Sequence, residues 1–177
     1  MKKLFSLLFI TLISYWFTTA NAAELSKENS VRLFVTEMYK EVLPAAAKEQ
    51  GDWYVGKYFS ESLLDFYSLV DQHDKIYHED EQGCFTIDLW TQSELPDVNY
   101  SPVIKSVSFE EDWMGEEYVV VNVILKSPNP SYYPDSKITL ELWKTDKSWI
   151  IKDYNGIAMK MKSYLAGNHP CIQNNIR

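Results

Sequence analysis

The sequence predicts an α+β fold in which helices come first and a curved antiparallel sheet follows. Apolar residues recur every three to four positions up to about residue 70, as in amphipathic helices. From residue 103 the period changes to alternation, and Val, Ile, Thr and aromatic residues dominate. We therefore expect N-terminal helices packed on a cone-like antiparallel sheet of about four or more strands, with a short C-terminal helix.

Residues 1–22 predict a cleaved signal peptide. Two lysines precede an apolar run, Leu4 to Phe17, and Ala20-Asn21-Ala22 has the small-x-small pattern of a cleavage site. The rival interpretation is a membrane anchor, which needs about 20 apolar residues, and this run is shorter. We expect cleavage after Ala22, a periplasmic location without a membrane anchor, and a single domain over residues 23–177.

The charge of the chain favours basic partners and disfavours nucleic acid. The whole sequence has a formal net charge of −8, and loss of residues 1–22 removes two lysines and no acid, leaving −10. Nucleic acid and anionic lipid both require phosphate neutralisation. An acidic surface instead steers cationic proteins toward it, although acidity also serves solubility alone.

The first predicted helix of the mature chain begins near Ser26 or Ser30, either of which can act as an N-cap. Pro44 is expected to end, kink or restart this helix, and 45–47 can form a second short helix. Its apolar stripe comprises Val31, Phe34, Val35, Met38, Tyr39 and Val42.

A connecting segment, 51–58, leads to a second main helix. Ser60 is the predicted N-cap, and Glu61 suits the first turn because its charge complements the helix dipole. The buried face of this helix is expected to consist of Leu63, Leu64, Tyr67 and Val70.

Four strands are predicted, at 103–110, 117–126, 137–145 and 148–153, with turns rich in Gly, Pro, Asn and Asp between them. The second strand is apolar on both faces and is expected to be central, whereas the third alternates and should expose one face. A final short helix is expected to bury Ile157, Met161, Tyr164 and Leu165, and to stop at Gly167.

Cys84 and Cys171 are the two cysteines of the sequence, and an oxidising compartment with an even count suggests one disulfide between them. A catalytic role is the weaker interpretation. The sequence has no Cys-x-x-Cys pair, and neither cysteine has a flanking basic residue that would lower its pKa.

The hairpin formed by 140–143, a tight turn and Trp149-Ile150-Ile151-Lys152-Asp153 resembles the nuclear-transport-factor-2-like (cystatin-like) superfamily, whose hairpins commonly end in a Trp-x-Ile-x-Asp strand. The signal peptide and the segment Cys84-Phe85-Thr86-Ile87-Asp88-Leu89-Trp90 also look like a periplasmic family, domain of unknown function 3828. The resemblance implies a cone-shaped α+β domain. Such folds host isomerases, dehydratases, ligand binders, dimerisation modules and immunity proteins, so the fold does not select the function.

The resemblance also implies where a pocket would carry an acid. Asp88 lies between two apolar residues and is the candidate carboxylate, while Tyr100 or Tyr118 could supply a hydroxyl. The alternative for Asp88 is a turn cap. His73 and His78 lie among acids, but their five-residue spacing does not suit one helix face, so we expect neither a metal site nor a cofactor.

The most suggestive stretch, 110–117, lies between the first two predicted strands and should form a hairpin tip. Its two apolar residues, Trp113 and Met114, are surrounded by acids, an arrangement typical of a protein-binding hot spot with a charged rim. The alternative is that Trp113 folds back onto the sheet. The acids of the tip are Glu110, Glu111, Asp112, Glu116 and Glu117.

Two functions of different class follow. The first is a non-catalytic periplasmic binding protein, in its sharpest form an immunity-type inhibitor of a secreted toxin that attacks the cell wall. It would bind a protein with a basic surface. The second is a small-molecule carrier or isomerase-like pocket protein of the cone fold, and an envelope-maintenance domain is a further possibility.

Overall fold

The computed structural model describes residues 2–48, 54–77, 90–91 and 99–166. Within this part, helices α1 (Lys2–Ala46), α2 (Val55–Tyr58) and α3 (Glu61–Tyr77) precede four strands and a final helix. The strands are β1 (Ser101–Glu111), β2 (Glu117–Lys126), β3 (Ser136–Lys144) and β4 (Trp149–Tyr154), and the last helix is α4 (Ile157–Leu165). The expected α+β fold is therefore confirmed.

Helix α1 differs from the prediction at both ends. It is continuous from Lys2, so neither Ser26 nor Ser30 begins it, and the Ser30 hydroxyl instead donates to the Lys27 carbonyl at 2.7 Å. Pro44 lies inside α1 rather than at its end, and 45–46 belong to the same helix. Proline has no N–H to give to residue 40, and α1 ends only two residues later.

The expected apolar stripe of α1 is the helix face that packs on the sheet. Its members Val31, Val35, Met38, Tyr39 and Val42 are buried, and Phe34 is half-buried beside them. Helix α3 begins as expected, because the Leu63 N–H bonds to the Ser60 hydroxyl at 3.4 Å. Leu63 and Val70 are buried in the face of α3 that the sequence indicated, and Leu64 and Tyr67 pack against the core.

Within the described residues the sheet is an antiparallel meander in the order β1-β2-β3-β4, and it is not closed. Its inner face carries the buried residues Val119, Val121, Val123, Leu125, Ile138, Leu140, Leu142 and Ile151. The bounds of β2 are those predicted, and β2 is central as expected because it pairs with both β1 and β3. Register shifts mark irregularities between Ile104 and Ser106 in β1 and between Glu141 and Leu142 in β3.

An aromatic cluster lies between the helices and the sheet. Trp90 is fully buried, with its ring 5.3 Å from that of Phe59 and 5.8 Å from that of Tyr154. The Tyr154 hydroxyl donates to the Trp90 carbonyl at 2.5 Å and lies 3.1 Å from the Tyr39 hydroxyl. These contacts join α1, residue 90 and β4 into one core.

Among the helices searched in the described residues, none is both long and apolar enough to cross a membrane. The backbone of α1 includes the segment predicted to be the signal peptide.

Candidate protein-binding surface

The tip between β1 and β2 presents the most exposed large apolar side chain among the described residues. Trp113 is 90 % exposed and its neighbour Met114 is 59 % exposed. Of the two interpretations of Trp113 from the sequence, the structure shows projection into solvent rather than packing on the sheet. Exposure of so large an apolar side chain to water is unfavourable, which makes Trp113 the candidate contact residue of this tip.

Hydrogen bonds within the tip hold its backbone in one shape. The Asp112 carboxylate oxygen Oδ1 accepts the N–H groups of Met114 at 2.8 Å and Glu116 at 2.9 Å. The backbone closes the same turn, because the Asp112 N–H donates to the Glu116 carbonyl at 2.9 Å and the Gly115 N–H donates to the Asp112 carbonyl at 3.0 Å. Gly115 has φ +81°, a conformation that glycine adopts without strain.

The base of the hairpin is fastened to the rest of the fold. Lys27 of α1 pairs with Glu117 at the start of β2, and its ammonium lies 4.8 Å from the centre of the Phe109 ring. Across the strands, the Tyr118 hydroxyl donates to Glu110 at 2.9 Å. These contacts restrain the strands that carry the tip.

The acids of the tip therefore divide into two groups. Glu110, Asp112 and Glu117 each hold a contact that shapes the hairpin, whereas Glu111 and Glu116 are exposed beside Trp113. Bonding to Glu110 raises the pKa of the Tyr118 hydroxyl, because the carboxylate opposes a second negative charge. The surface around Trp113 is thus strongly acidic.

The outer face of the sheet extends this acidic character. Glu141 of β3 lies directly opposite Asp153 of β4. Partial burial, followed by repulsion from Asp153 and Glu110, raises the pKa of the Glu141 carboxyl. On the same face the Lys152 ammonium lies 4.6 Å from the centre of the Trp143 ring.

The structure separates the tyrosines predicted to line a pocket. Tyr118 lies on the outer sheet face at the hairpin end, whereas Tyr100 is buried just before β1. Because Tyr118 pairs with Glu110, ten residues beyond Tyr100, their backbones are about 30 Å apart. The two hydroxyls do not share one site.

Several predicted residues lie outside the described part of the chain. These are Asp88, Cys84 and Cys171, so the pocket carboxylate and the disulfide stay predictions. The side chains of His73 and His78 are likewise not described.

The opposite end of the sheet carries a second loop, between β2 and β3, that is held by hydrogen bonds. The Asp135 carboxylate accepts the Ser127 N–H at 3.0 Å and pairs with Lys126 at 2.5 Å, and these two contacts lower the pKa of Asp135. Tyr132 projects from this loop with 80 % exposure.

No family model matches the sequence, and neither the curated proteins nor the solved structures gave a match. The resemblance to the nuclear-transport-factor-2-like superfamily stays a prediction.

Proposed function

We propose that this chain is a non-catalytic periplasmic binding protein that docks a basic partner through the tip at 110–117. In its most specific form it is an immunity-type inhibitor whose tip enters the active site of a secreted enzyme that degrades the cell wall. The observation that carries this proposal is the 90 % exposure of Trp113 on a turn fixed by Asp112.

Preorganisation makes the tip suited to binding. A flexible loop loses conformational entropy when it binds, whereas a turn already held by internal hydrogen bonds loses little. Tryptophan is enriched among the residues that dominate binding energy, and surrounding polar groups exclude water from such contacts. Trp113 is the tryptophan of this tip, and Glu111 and Glu116 are the polar groups around it.

The acidic charge around the tip supports a basic partner. Opposite charges speed the encounter of two proteins and suppress partners of the wrong sign. We therefore expect the association rate to fall as ionic strength rises, while the dissociation rate changes less.

The pocket alternative has less support from the described interior. Trp90, Phe59 and Tyr154 are buried and pack against one another between the helices and the sheet. A carrier or isomerase of the cone fold needs that space for its ligand.

Affinity capture from a periplasmic extract tests the proposal, with wild type compared with Trp113→Ala. Loss of a central aromatic contact should weaken binding by about thirtyfold or more, while the thermal midpoint stays nearly unchanged because the side chain is exposed. Tyr132→Ala is the matched control, since it removes another exposed aromatic residue at the far end of the sheet.

The immunity form requires a second measurement on the captured protein. That protein should release fragments from purified peptidoglycan, and addition of the wild-type chain should stop the release while Trp113→Ala stops it much less. If wild type and Trp113→Ala recover every partner equally, the proposal is refuted.

A further inference from the structure

We infer that Lys27 is the positioning residue of the tip, because it sets the direction in which Trp113 points by holding both strands of the hairpin against helix α1. This role rests on the proposed function, since Lys27 acts on the partner only through the proposed contact residue. Three observations carry it: the place of the Lys27 ammonium, the projection of the hairpin beyond β3, and the charge that Lys27 adds to an acidic surface.

Lys27 contacts the two strands of the hairpin at once. Its ammonium pairs with Glu117, the first residue of β2, and lies 4.8 Å from the centre of the Phe109 ring in β1. Phe109 lies opposite Val119, two residues along β2 from Glu117, so both contacts are at the end of the sheet that carries the tip. One side chain of α1 therefore reaches both strands just below the turn.

Both contacts lie on the inner face of the sheet, where α1 packs. Val119 is buried on that face, and Glu117 and Phe109 share it because side chains alternate along a strand. Lys27 is half-buried, so part of its aliphatic stem is covered while the ammonium reaches the hairpin. Solvent and salt screen a partly covered pair less than a fully exposed one.

The hairpin needs this support because its end projects beyond the next strand. Strand β2 pairs with β1 from Glu117 onward, but it pairs with β3 only from Val119 onward. Glu117 and Tyr118 therefore belong to a two-stranded ribbon that carries the turn. Such a ribbon is more strongly twisted and less stable than a wider sheet.

The remaining contacts of the hairpin end give the tip its shape and not its direction. The hydrogen bond from Tyr118 to Glu110 joins β2 to β1, and the bonds to Asp112 lie within the turn. Among the described residues, both polar contacts that join α1 to this hairpin are made by Lys27. The angle between the tip and the domain is therefore assigned to Lys27.

A small rotation at the base becomes a large displacement at the tip. Trp113 is four residues from Glu117 in the chain, so its side chain extends about 10 Å past that residue. A rotation of about 15° then moves the indole by about 2–3 Å, whereas a binding contact must be held within roughly 0.5 Å.

The charge of Lys27 separates positioning from a direct electrostatic role. Lys27 is a cation beside an acidic tip, so Lys27→Met makes the surface more negative and should speed the approach of a basic partner by about twofold. A displaced Trp113 should nevertheless raise the dissociation rate about tenfold, because an ion pair and a cation–π contact are both lost. The net result is an affinity about fivefold weaker.

NMR on the full chain as the cell processes it measures the direction of the tip without a partner. Residual dipolar couplings of the Met114 and Glu116 N–H groups, compared with those of β2 and β3, should shrink in Lys27→Met. Hydrogen exchange at the same two groups should stay within about twofold of wild type, because Asp112 still holds the turn.

Two further variants control for charge and for the helix. Lys40→Met removes the same charge from α1, but Lys40 pairs with Glu37 of its own helix, so the couplings of the tip should not change. Lys27→Arg keeps a cation for both Glu117 and the Phe109 ring, so its couplings should match wild type and its affinity should stay within about threefold.

A double-mutant cycle, measured by surface plasmon resonance on the protein captured by the wild-type chain, tests whether Lys27 acts through Trp113. The double variant Lys27→Met with Trp113→Ala should bind no more weakly than Trp113→Ala alone. Additive losses would overturn the inference, as would wild-type couplings in Lys27→Met. Equal capture by wild type and Trp113→Ala refutes the proposed function, whereas unchanged couplings in Lys27→Met refute the positioning role alone.

Discussion

Replacement of Asp112 by alanine should loosen the tip without unfolding the domain. The side chain accepts two backbone N–H groups, at 2.8 and 2.9 Å. A hydrogen bond contributes a net 0.5–1.5 kcal/mol or so, and water replaces part of it at an exposed site. Loss of both bonds should therefore cost about 1–2 kcal/mol, so the ratio of ordered to disordered tip should fall about tenfold.

Amide hydrogen exchange, measured by NMR, reports this change at the two N–H donors, those of Met114 and Glu116. Exchange at Met114 and Glu116 should accelerate about tenfold in Asp112→Ala, and affinity for a partner that needs the ordered tip should fall by a similar factor. Asp112→Asn keeps an acceptor oxygen and should exchange within about threefold of wild type. Unchanged exchange in Asp112→Ala would refute the claim that this side chain holds the turn.

Four further predictions concern the core, the outer sheet face and the cysteines. Tyr154→Phe should lower the free energy of unfolding, measured in urea, by about 1–3 kcal/mol, because the buried Tyr39 hydroxyl loses its hydrogen-bond partner. The double variant with Tyr39→Phe should cost less than the sum of the single variants, and additivity would argue against the pair. Burial raises the pKa of Tyr39, so the native state keeps a proton that the unfolded chain loses above about pH 10. The free energy of unfolding should thus fall as pH rises beyond about 10, and it should fall less steeply in Tyr39→Phe. Wild-type and Tyr39→Phe curves of stability against pH that run parallel would contradict this. Burial and neighbouring acids raise the pKa of Glu141, so its charge opposes folding above the ordinary carboxyl range. Glu141→Gln should then stabilise the chain by under about 1 kcal/mol at pH 7 and have no effect at about pH 3; a loss at pH 7 would contradict this. Mass spectrometry of the unreduced protein should recover a peptide linking Cys84 to Cys171, and free thiols at both would refute that pairing.

The sequence predicted the elements with strong local signals. A run rich in valine and isoleucine, apolar on both faces, identified β2 with its observed bounds, and the hydroxyl of Ser60 marked the start of α3. The hairpin between β1 and β2 was also predictable, because acids and glycine interrupt two β-rich runs. These features depend on near neighbours in the chain, which a sequence pattern records.

The contacts that make the tip rigid were not predictable from such patterns. Lys27 and Glu117 are 90 residues apart, and only the packing of α1 on the sheet brings them together. The exposure of Trp113 was not predictable either, since the same residues suited a tip that projects into solvent and a tip that folds back onto the sheet. Pro44 was expected to end, kink or restart the helix, and it lies inside α1 two residues before the helix ends, so the proline marked the end only approximately.

The contacts between α1 and β4 have a consequence for when the chain can fold. Ser30 accepts a hydrogen bond from Trp149, and Tyr39 meets Tyr154, across sequence separations of 119 and 115 residues. The core therefore cannot close until almost the entire polypeptide has been made, since its first and last parts meet each other. The same pairing makes a truncated product unable to complete its core, so incomplete chains should be cleared by proteolysis rather than accumulate.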